Sequence, residues 1–137
     1  MLLQEIKDLS TAQIAELRKQ MLKNLRDFCQ KSFQKPVDLN SKGEHIYAKH
    51  HTNEQIEFDL WIHSDFIFLD NFYLDDSLKN HGLGTRFVET LVATLPDTMT
   101  IKVRDHDGPE TDMVSMSNTF WAKMKAKHDS HKWIITH

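Results

Sequence analysis

Two of the four glycines in this 137-residue chain, Gly82 and Gly84, lie between an apolar segment and a run with helical periodicity. Glycine allows the backbone to turn tightly and to approach a ligand closely. The first N–H groups of a helix have no partner within the helix, and the helix dipole places partial positive charge at the same end. The glycine loop, defined as residues 79–85, is therefore predicted to bind an anion such as a phosphate group.

Acid–base chemistry needs one group that accepts a proton and another that donates one. Asp70 is the first candidate for a general base, acting directly or through water, because it interrupts the apolar run Phe66–Leu74. A polar residue at a bulge or at a strand edge is the structural alternative for this position. Glu57 and Asp59 are the other candidate bases. The candidate proton donors all carry hydroxyl groups and are Tyr73, Ser115 and Ser117.

The chain contains nine histidines, which could in principle bind a metal ion. Four of them are predicted on or beside two adjoining strands, and two near the end of the last helix: His45, His50, His51, His63, His128 and His131. A metal site needs three or four donors that converge at fixed geometry, and no cysteine lies near these residues in the sequence. They are therefore predicted to be surface residues, with no metal site.

Apolar periodicity predicts one domain over residues 1–137 with the element order β-α-β-β-β-α-β-α-β. Ser10 is predicted to cap the first helix, with Gln13 completing a capping box. Residues 51–54 are predicted to form a turn, and the fourth strand is expected to be covered on both sides. The predicted strands are residues 2–7, 44–50, 56–62, 66–74, 99–103 and 133–136, and the predicted helices are 11–33, 83–95 and 113–127. This order predicts an α/β fold (α+β in some schemes) with a mixed central sheet of about six strands and helices on both faces.

The composition is that of a soluble globular domain. A net charge of −3 and a pI near 6.3 argue against a nucleic-acid partner, since phosphate neutralisation needs a concentrated basic surface. No apolar run approaches the roughly 20 residues of a membrane helix and no secretory segment is evident, so a cytoplasmic location without a membrane partner is expected. Cys29, the only thiol, lies far in sequence from the glycine loop and gives no support to a covalent route. The sequence leaves open whether the chain is a monomer or a homodimer.

The pattern Lys79-x-x-Gly82-x-Gly84 resembles the Arg/Gln-x-x-Gly-x-Gly/Ala loop of the GCN5-related N-acetyltransferase (GNAT) superfamily, which holds the pyrophosphate of coenzyme A. The predicted strand order is also similar to the usual topology of that family over most of the chain. The resemblance implies an acyl-CoA-binding domain with acetyl-CoA as co-substrate and an unidentified amine, a small molecule or a protein, as acceptor. The implied cofactor-binding residues are Phe72, Tyr73, Leu74, Lys79, Asn80, His81, Gly82, Leu83, Gly84 and Thr85.

In that family the fourth and fifth strands splay apart and open a notch for the pantetheine arm, and they correspond here to residues 66–74 and 99–103. The resemblance also implies an oxyanion donor from a backbone N–H near Tyr73 and Leu74. A group of acidic residues near this notch indicates a cationic amine as acceptor, with solvated strand ends as the alternative: Glu57, Asp59, Asp70, Asp75 and Asp76.

The sequence departs from the family pattern at three positions that matter for function. Lys79 replaces the usual arginine or glutamine and cannot form a planar two-pronged contact with phosphate. Asn80 replaces a frequent glycine. Trp121 aligns with the tyrosine that protonates the departing thiolate, and an indole N–H is no useful general acid. A non-catalytic acyl-CoA-binding or protein-interaction module is therefore the alternative to an N-acetyltransferase.

Overall fold

The computed structural model describes residues 9–104 and 120–136, which form an α+β fold around one mixed, open, six-stranded sheet. In chain order the elements are α1 Thr11–Ser32, β1 Asn40–Lys42, β2 His45–Ala48, α2 His50–Asn53, β3 Ile56–Ile62, β4 Phe66–Leu74, a 3-10 turn Asp76–Leu78, α3 Leu83–Thr94, β5 Thr100–Arg104, α4 at residues 120–127 and β6 Trp133–Thr136. The strands lie in the order β1-β2-β3-β4-β5-β6. Strands β1 to β4 pair antiparallel with one another, whereas β5 is parallel to both β4 and β6.

Helix α1 begins at the predicted cap. The Gln13 N–H donates to Ser10 Oγ at 3.1 Å, and the Ser10 N–H donates to Gln13 Oε1 at 2.9 Å. The apolar residues three and four apart are buried, as the helical period requires: Ile14, Leu17, Met21, Leu25 and Phe28. The prediction of this helix from its capping box and its apolar face is confirmed.

The three longer helices, α1, α3 and α4, contact the same face of the sheet. Alternate residues of β3 are fully buried, and the ring of one of them, Phe58, lies 5.1 Å from Phe87 of α3. Phe87 in turn lies 5.9 Å from Phe28 of α1 and 4.6 Å from Phe72 of β4. Trp121 of α4 packs against the same Phe72, at 6.3 Å. In residues 9–104 and 120–136 only the four-residue α2 contacts the other side of the sheet, where His50 bonds Glu57. The expected layers of helices on both faces are therefore not found in these residues, and we call this other side the open face.

Strand β4 is buried on one side only, which corrects the expectation that both of its sides are covered. Ile67 and Leu69 are buried beneath the helices. Phe66 and Phe68 are half-buried on the open face, where Lys102 and Arg104 of β5 lie 4.0 and 5.6 Å from the ring centroids. On the open face, the aromatic residues of β4 are thus covered by the side chains of cationic residues and not by a second layer of helices.

Other boundaries differ in detail from the prediction. Residues 40–42 form strand β1, which pairs with β2 through a two-residue turn where Gly43 has φ 61°. Residues 50–53 form the short helix α2 instead of a turn, and the chain leaves it through Glu54 at φ 63°. The predicted strand at 2–7 and the predicted helical residues 113–119 lie outside the described residues. No helix of the described chain is long and apolar enough to cross a membrane.

Candidate functional site

Strand β4 extends beyond the end of its ladder with β5. The parallel pairs run from Phe66↔Thr100 to Leu69↔Val103, while β4 itself continues to Leu74. The register with β3 shifts at this point: Asp59 pairs with Asn71 and Leu60 with Leu69, so that Asp70 is the extra residue of a bulge. Among the described residues, no strand therefore pairs with the part of β4 after Asp70 on the side where β5 lies. We call this place the β4 opening.

The glycine loop turns from β4 into α3 through two residues with left-handed backbone. Asn80 has φ 67° and Gly82, which caps α3, has φ 74°. The Arg86 N–H donates to the Gly82 carbonyl at 3.0 Å and makes the first hydrogen bond of the helix. The N–H groups of Leu83, Gly84 and Thr85 make no hydrogen bond with the rest of the described chain, as expected for the first turn of a helix. These N–H groups and the helix dipole are the features from which the sequence predicted an anion site, and that site stays a prediction.

The amino group of Lys79 has a partner in the 3-10 turn that precedes the loop. It lies 3.0 Å from a carboxylate oxygen of Asp76 and 5.7 Å from the centroid of the Tyr73 ring. Its side chain is only 23% exposed. A phosphate group would therefore have to compete with Asp76 for this charge.

Gly84 lies at a close contact between α3 and α4. A Cβ atom at this position would lie 3.2 and 3.3 Å from two ring atoms of Phe120 and 3.8 Å from Phe72. Gly82, by contrast, has open space around the position of a Cβ. The two glycines thus serve different purposes, with Gly82 allowing the turn and Gly84 allowing the close approach of α4.

Trp121 is a core residue that borders the β4 opening. It is 5% exposed, and its ring lies against Phe72 and, at 4.8 Å, against Phe120. Phe72 is partly buried and packs against Phe87 of α3, so its side chain lies at the margin of the core.

The candidate bases lie on the open face, and each carboxylate already has a partner. Asp70 Oδ1 lies 2.7 Å from Nε of Arg104, and the Asp70 side chain is 39% exposed. Glu57 accepts hydrogen bonds from the His50 backbone N–H at 3.0 Å and from the Asn71 amide at 2.7 Å. Asp59 lies 2.8 Å from His45 Nε2 and 3.7 Å from the Lys49 amino group. The acidic residues that indicated a cationic amine are thus largely compensated by their own neighbours.

Of the three candidate proton donors, one lies within the described residues and two lie outside them. Tyr73, opposite Glu57 in the sheet register, is 36% exposed at the end of β4. Its hydroxyl-bearing ring is contacted edge-on by His50 at 5.0 Å. Ser115 and Ser117 lie outside the described residues.

A histidine–carboxylate pair beside Tyr73 was not predicted. His50 Nε2 lies 3.1 Å from Asp75 Oδ1. Hydrogen bonds from Ser77 and from His50 lower the pKa of Asp75 below its ordinary value of 3.8. The two residues are 25 positions apart in sequence, and their contact depends on α2, where the sequence had indicated the end of a strand at His50 and a turn after it. Only the tertiary fold reveals this pair.

The other histidines do not converge. His45 is stacked on Trp61 at 4.0 Å and on Tyr47 at 4.5 Å. His131 was expected at the surface, but it is only 4% exposed. Its Nδ1 forms a hydrogen bond with the Met99 carbonyl at 2.9 Å, just before β6. In residues 9–104 and 120–136 no group of three or more His, Cys, Asp or Glu side chains could hold a metal ion.

Cys29 is buried in α1, and burial raises the pKa of its thiol to about 12. A thiol with so high a pKa is a poor nucleophile at neutral pH.

Comparison with known proteins gives no relative from which function could be transferred: no family model matches the chain, and neither curated proteins nor solved structures give a significant match.

Proposed function

We propose that the chain binds acetyl-CoA at the glycine loop and transfers the acetyl group to an amine. The observation that carries the proposal is the position of the β4 opening beside the first turn of α3. An extended pantetheine arm can add to an unpaired strand edge, while unpaired helix N–H groups and the helix dipole attract the pyrophosphate. Both features fit the resemblance to the GNAT loop.

The residues that would hold the co-substrate follow from this geometry. The backbone N–H groups of residues 80–85 would face the pyrophosphate, and the backbone of Phe72, Tyr73 and Leu74 would face the pantetheine arm and the thioester carbonyl. Lys79 would contribute charge once it leaves Asp76. The thioester supplies the activated acetyl group. The amine nitrogen forms a bond to its carbonyl carbon, the C–S bond breaks, and the proton lost by nitrogen ends on the thiol.

A non-catalytic acyl-CoA-binding module is the second candidate, and one observation favours it. Trp121, at the position that aligns with the family's tyrosine, is buried between two phenylalanine rings and supplies no acid. The two candidates share the cofactor site and differ only in chemistry. Release of CoA thiol from acetyl-CoA across a panel of amines separates them.

The cofactor site itself is tested by calorimetric titration of CoA into the wild-type chain and into two matched glycine variants. Gly82→Ala and Gly43→Ala each place a Cβ on a residue with positive φ and open surroundings, so each costs about 1 kcal/mol of backbone strain. We expect Gly82→Ala to weaken CoA binding at least about tenfold, because the strained turn redirects the N–H groups of α3. Gly43→Ala, in the β1–β2 turn, should bind as the wild type does. Absence of CoA binding by the wild type, or equal affinity in both variants, contradicts the proposal.

A further inference from the structure

Three contacts from three different elements fix the position of His50 at the start of α2. Its backbone N–H donates to Glu57 of β3, its ring Nε2 bonds Asp75 just after β4, and its ring edge contacts Tyr73 of β4. The side chain still remains 32% exposed. An imidazole that is held in one orientation and reached by solvent has the properties of a proton-transfer group.

The partner of His50 determines which ring nitrogen carries the hydrogen. Asp75 is an ionised acceptor, because hydrogen bonds from Ser77 and His50 hold its pKa below 3.8. Nε2 must therefore be the N–H donor of the neutral ring, which leaves the lone pair on Nδ1. That nitrogen makes no hydrogen bond to any residue of the described chain. A free lone pair opposite an oriented N–H is the arrangement that a general base requires.

The position of this pair relates it to the proposed cofactor site. Asp75 directly follows β4 where that strand has passed the end of its β5 ladder, and Tyr73 belongs to the same strand end. The Tyr73 ring also contacts Lys79 of the glycine loop. The charged and titratable groups facing His50 from neighbouring elements are Glu57, Asp75 and Tyr73, with Lys49 and His51 adjacent in sequence.

We infer that His50, oriented by Asp75, accepts the proton of the acceptor ammonium group, an inference that rests on the proposed function. The ammonium nitrogen gives one proton to Nδ1 and becomes the neutral amine that attacks the thioester, and the imidazolium then returns that proton to solvent. Asp70 and Glu57 are less suited to this role, since Arg104 and Asn71 already bond their carboxylates. Asp75 acts through His50 and is a positioning residue.

The first test needs neither cofactor nor activity. Nitrogen-15 chemical shifts of the His50 ring, recorded in the free protein where the ring is neutral, should show the Nε2–H tautomer. In Asp75→Asn the carboxamide can accept or donate a hydrogen bond, so the ring should become a mixture of tautomers. A wild-type ring with the hydrogen on Nδ1 overturns the inference, because no lone pair would then face the acceptor.

The second test compares His50→Gln with His51→Gln, its exposed neighbour on the same short helix. We expect His50→Gln to lower kcat about 100-fold or more at neutral pH, to leave CoA affinity unchanged, and to recover at high pH where the amine deprotonates unaided. His51→Gln should match the wild type throughout. A wild type that binds CoA but transfers nothing, or a loss below about threefold in His50→Gln, overturns the inference and leaves the CoA site intact. A wild type without CoA affinity removes the proposed function and this inference with it.

Discussion

The ring of Phe120 occupies the space that a side chain on Gly84 would need: two of its atoms lie 3.2 and 3.3 Å from the position of a Cβ. This contact joins the first turn of α3 to the first described residues of α4, directly beside the β4 opening. The close packing of two helices is thus one reason for the second glycine of the loop. Its presence in the sequence is consistent with an anion site but does not depend on one.

The first prediction concerns this contact. Gly84→Ala should lower the free energy of unfolding by about 1–2 kcal/mol, because the added methyl group overpacks against a ring in a buried cluster. Phe120→Leu in the same background should recover most of that loss, since the smaller side chain provides the missing space. A double-mutant cycle in urea measures the coupling. Additive effects of the two substitutions would show that the helices adjust without strain.

The sequence predicted those parts of the fold that depend on local patterns. Helix α1 follows from Ser10, Gln13 and a buried stripe, and β3 follows from strict alternation of apolar and polar residues. Strand β1 escaped prediction because all three of its residues are polar and exposed, so that only pairing with β2 makes it a strand. The sequence also could not show which faces of the sheet are covered by helices. An aromatic residue appears as apolar in the sequence whether a helix or a cationic side chain covers its ring.

The candidate site divides in the same way. The turn into α3 was predictable because Gly82 lies immediately before a helical period, and Asn80 is a residue that tolerates positive φ. The partners of each candidate carboxylate were not predictable, because they come from other elements of the fold. Asp70 was singled out as a break in an apolar run, and the structure places it at a bulge beside Arg104. The His50–Asp75 pair left no signal in the sequence at all.

The second prediction separates packing from catalysis at Trp121. Trp121→Tyr should cost about 1–2 kcal/mol of stability, because a smaller ring leaves a void beside Phe72 and Phe120. Any acetyl transfer should stay equal or increase, since the indole performs no acid–base step. Trp133→Tyr, at a second buried tryptophan, is the matched control for the loss of stability. Complete loss of turnover in a folded, CoA-competent Trp121→Tyr would reveal a specific role of the indole.

The third prediction concerns the Asp70–Arg104 pair. Both side chains are partly exposed, at 39% and 46%, and such pairs contribute about 0–1 kcal/mol. We expect Asp70→Asn and Arg104→Gln to have equally small effects on urea unfolding, and Asp70→Asn to reduce turnover less than about threefold. Steady-state kinetics of the two variants side by side provide the measurement. A loss of about 100-fold in Asp70→Asn, with Arg104→Gln active, would return the general base to Asp70.

The fourth prediction is a loss of stability in mild acid caused by His128. Burial, with a smaller contribution from the Lys127 charge, lowers the pKa of this imidazole below its ordinary value of 6.5. Its Nε2 is buried and has no hydrogen-bond partner among the residues that the structure describes. As the pH falls below 6.5, the unfolded chain therefore binds a proton before the folded chain does, and the free energy of unfolding decreases until the pH has passed the folded pKa. The pKa of Asp75 is lowered below 3.8, so protonation of this carboxylate affects stability at a more acidic pH than that of His128.

Urea midpoints between pH 8 and 5 should fall less steeply in His128→Gln than in the wild type or in the exposed control His51→Gln. An identical pH dependence in all three proteins would show that the His128 ring is protonated equally easily in the folded and unfolded chains.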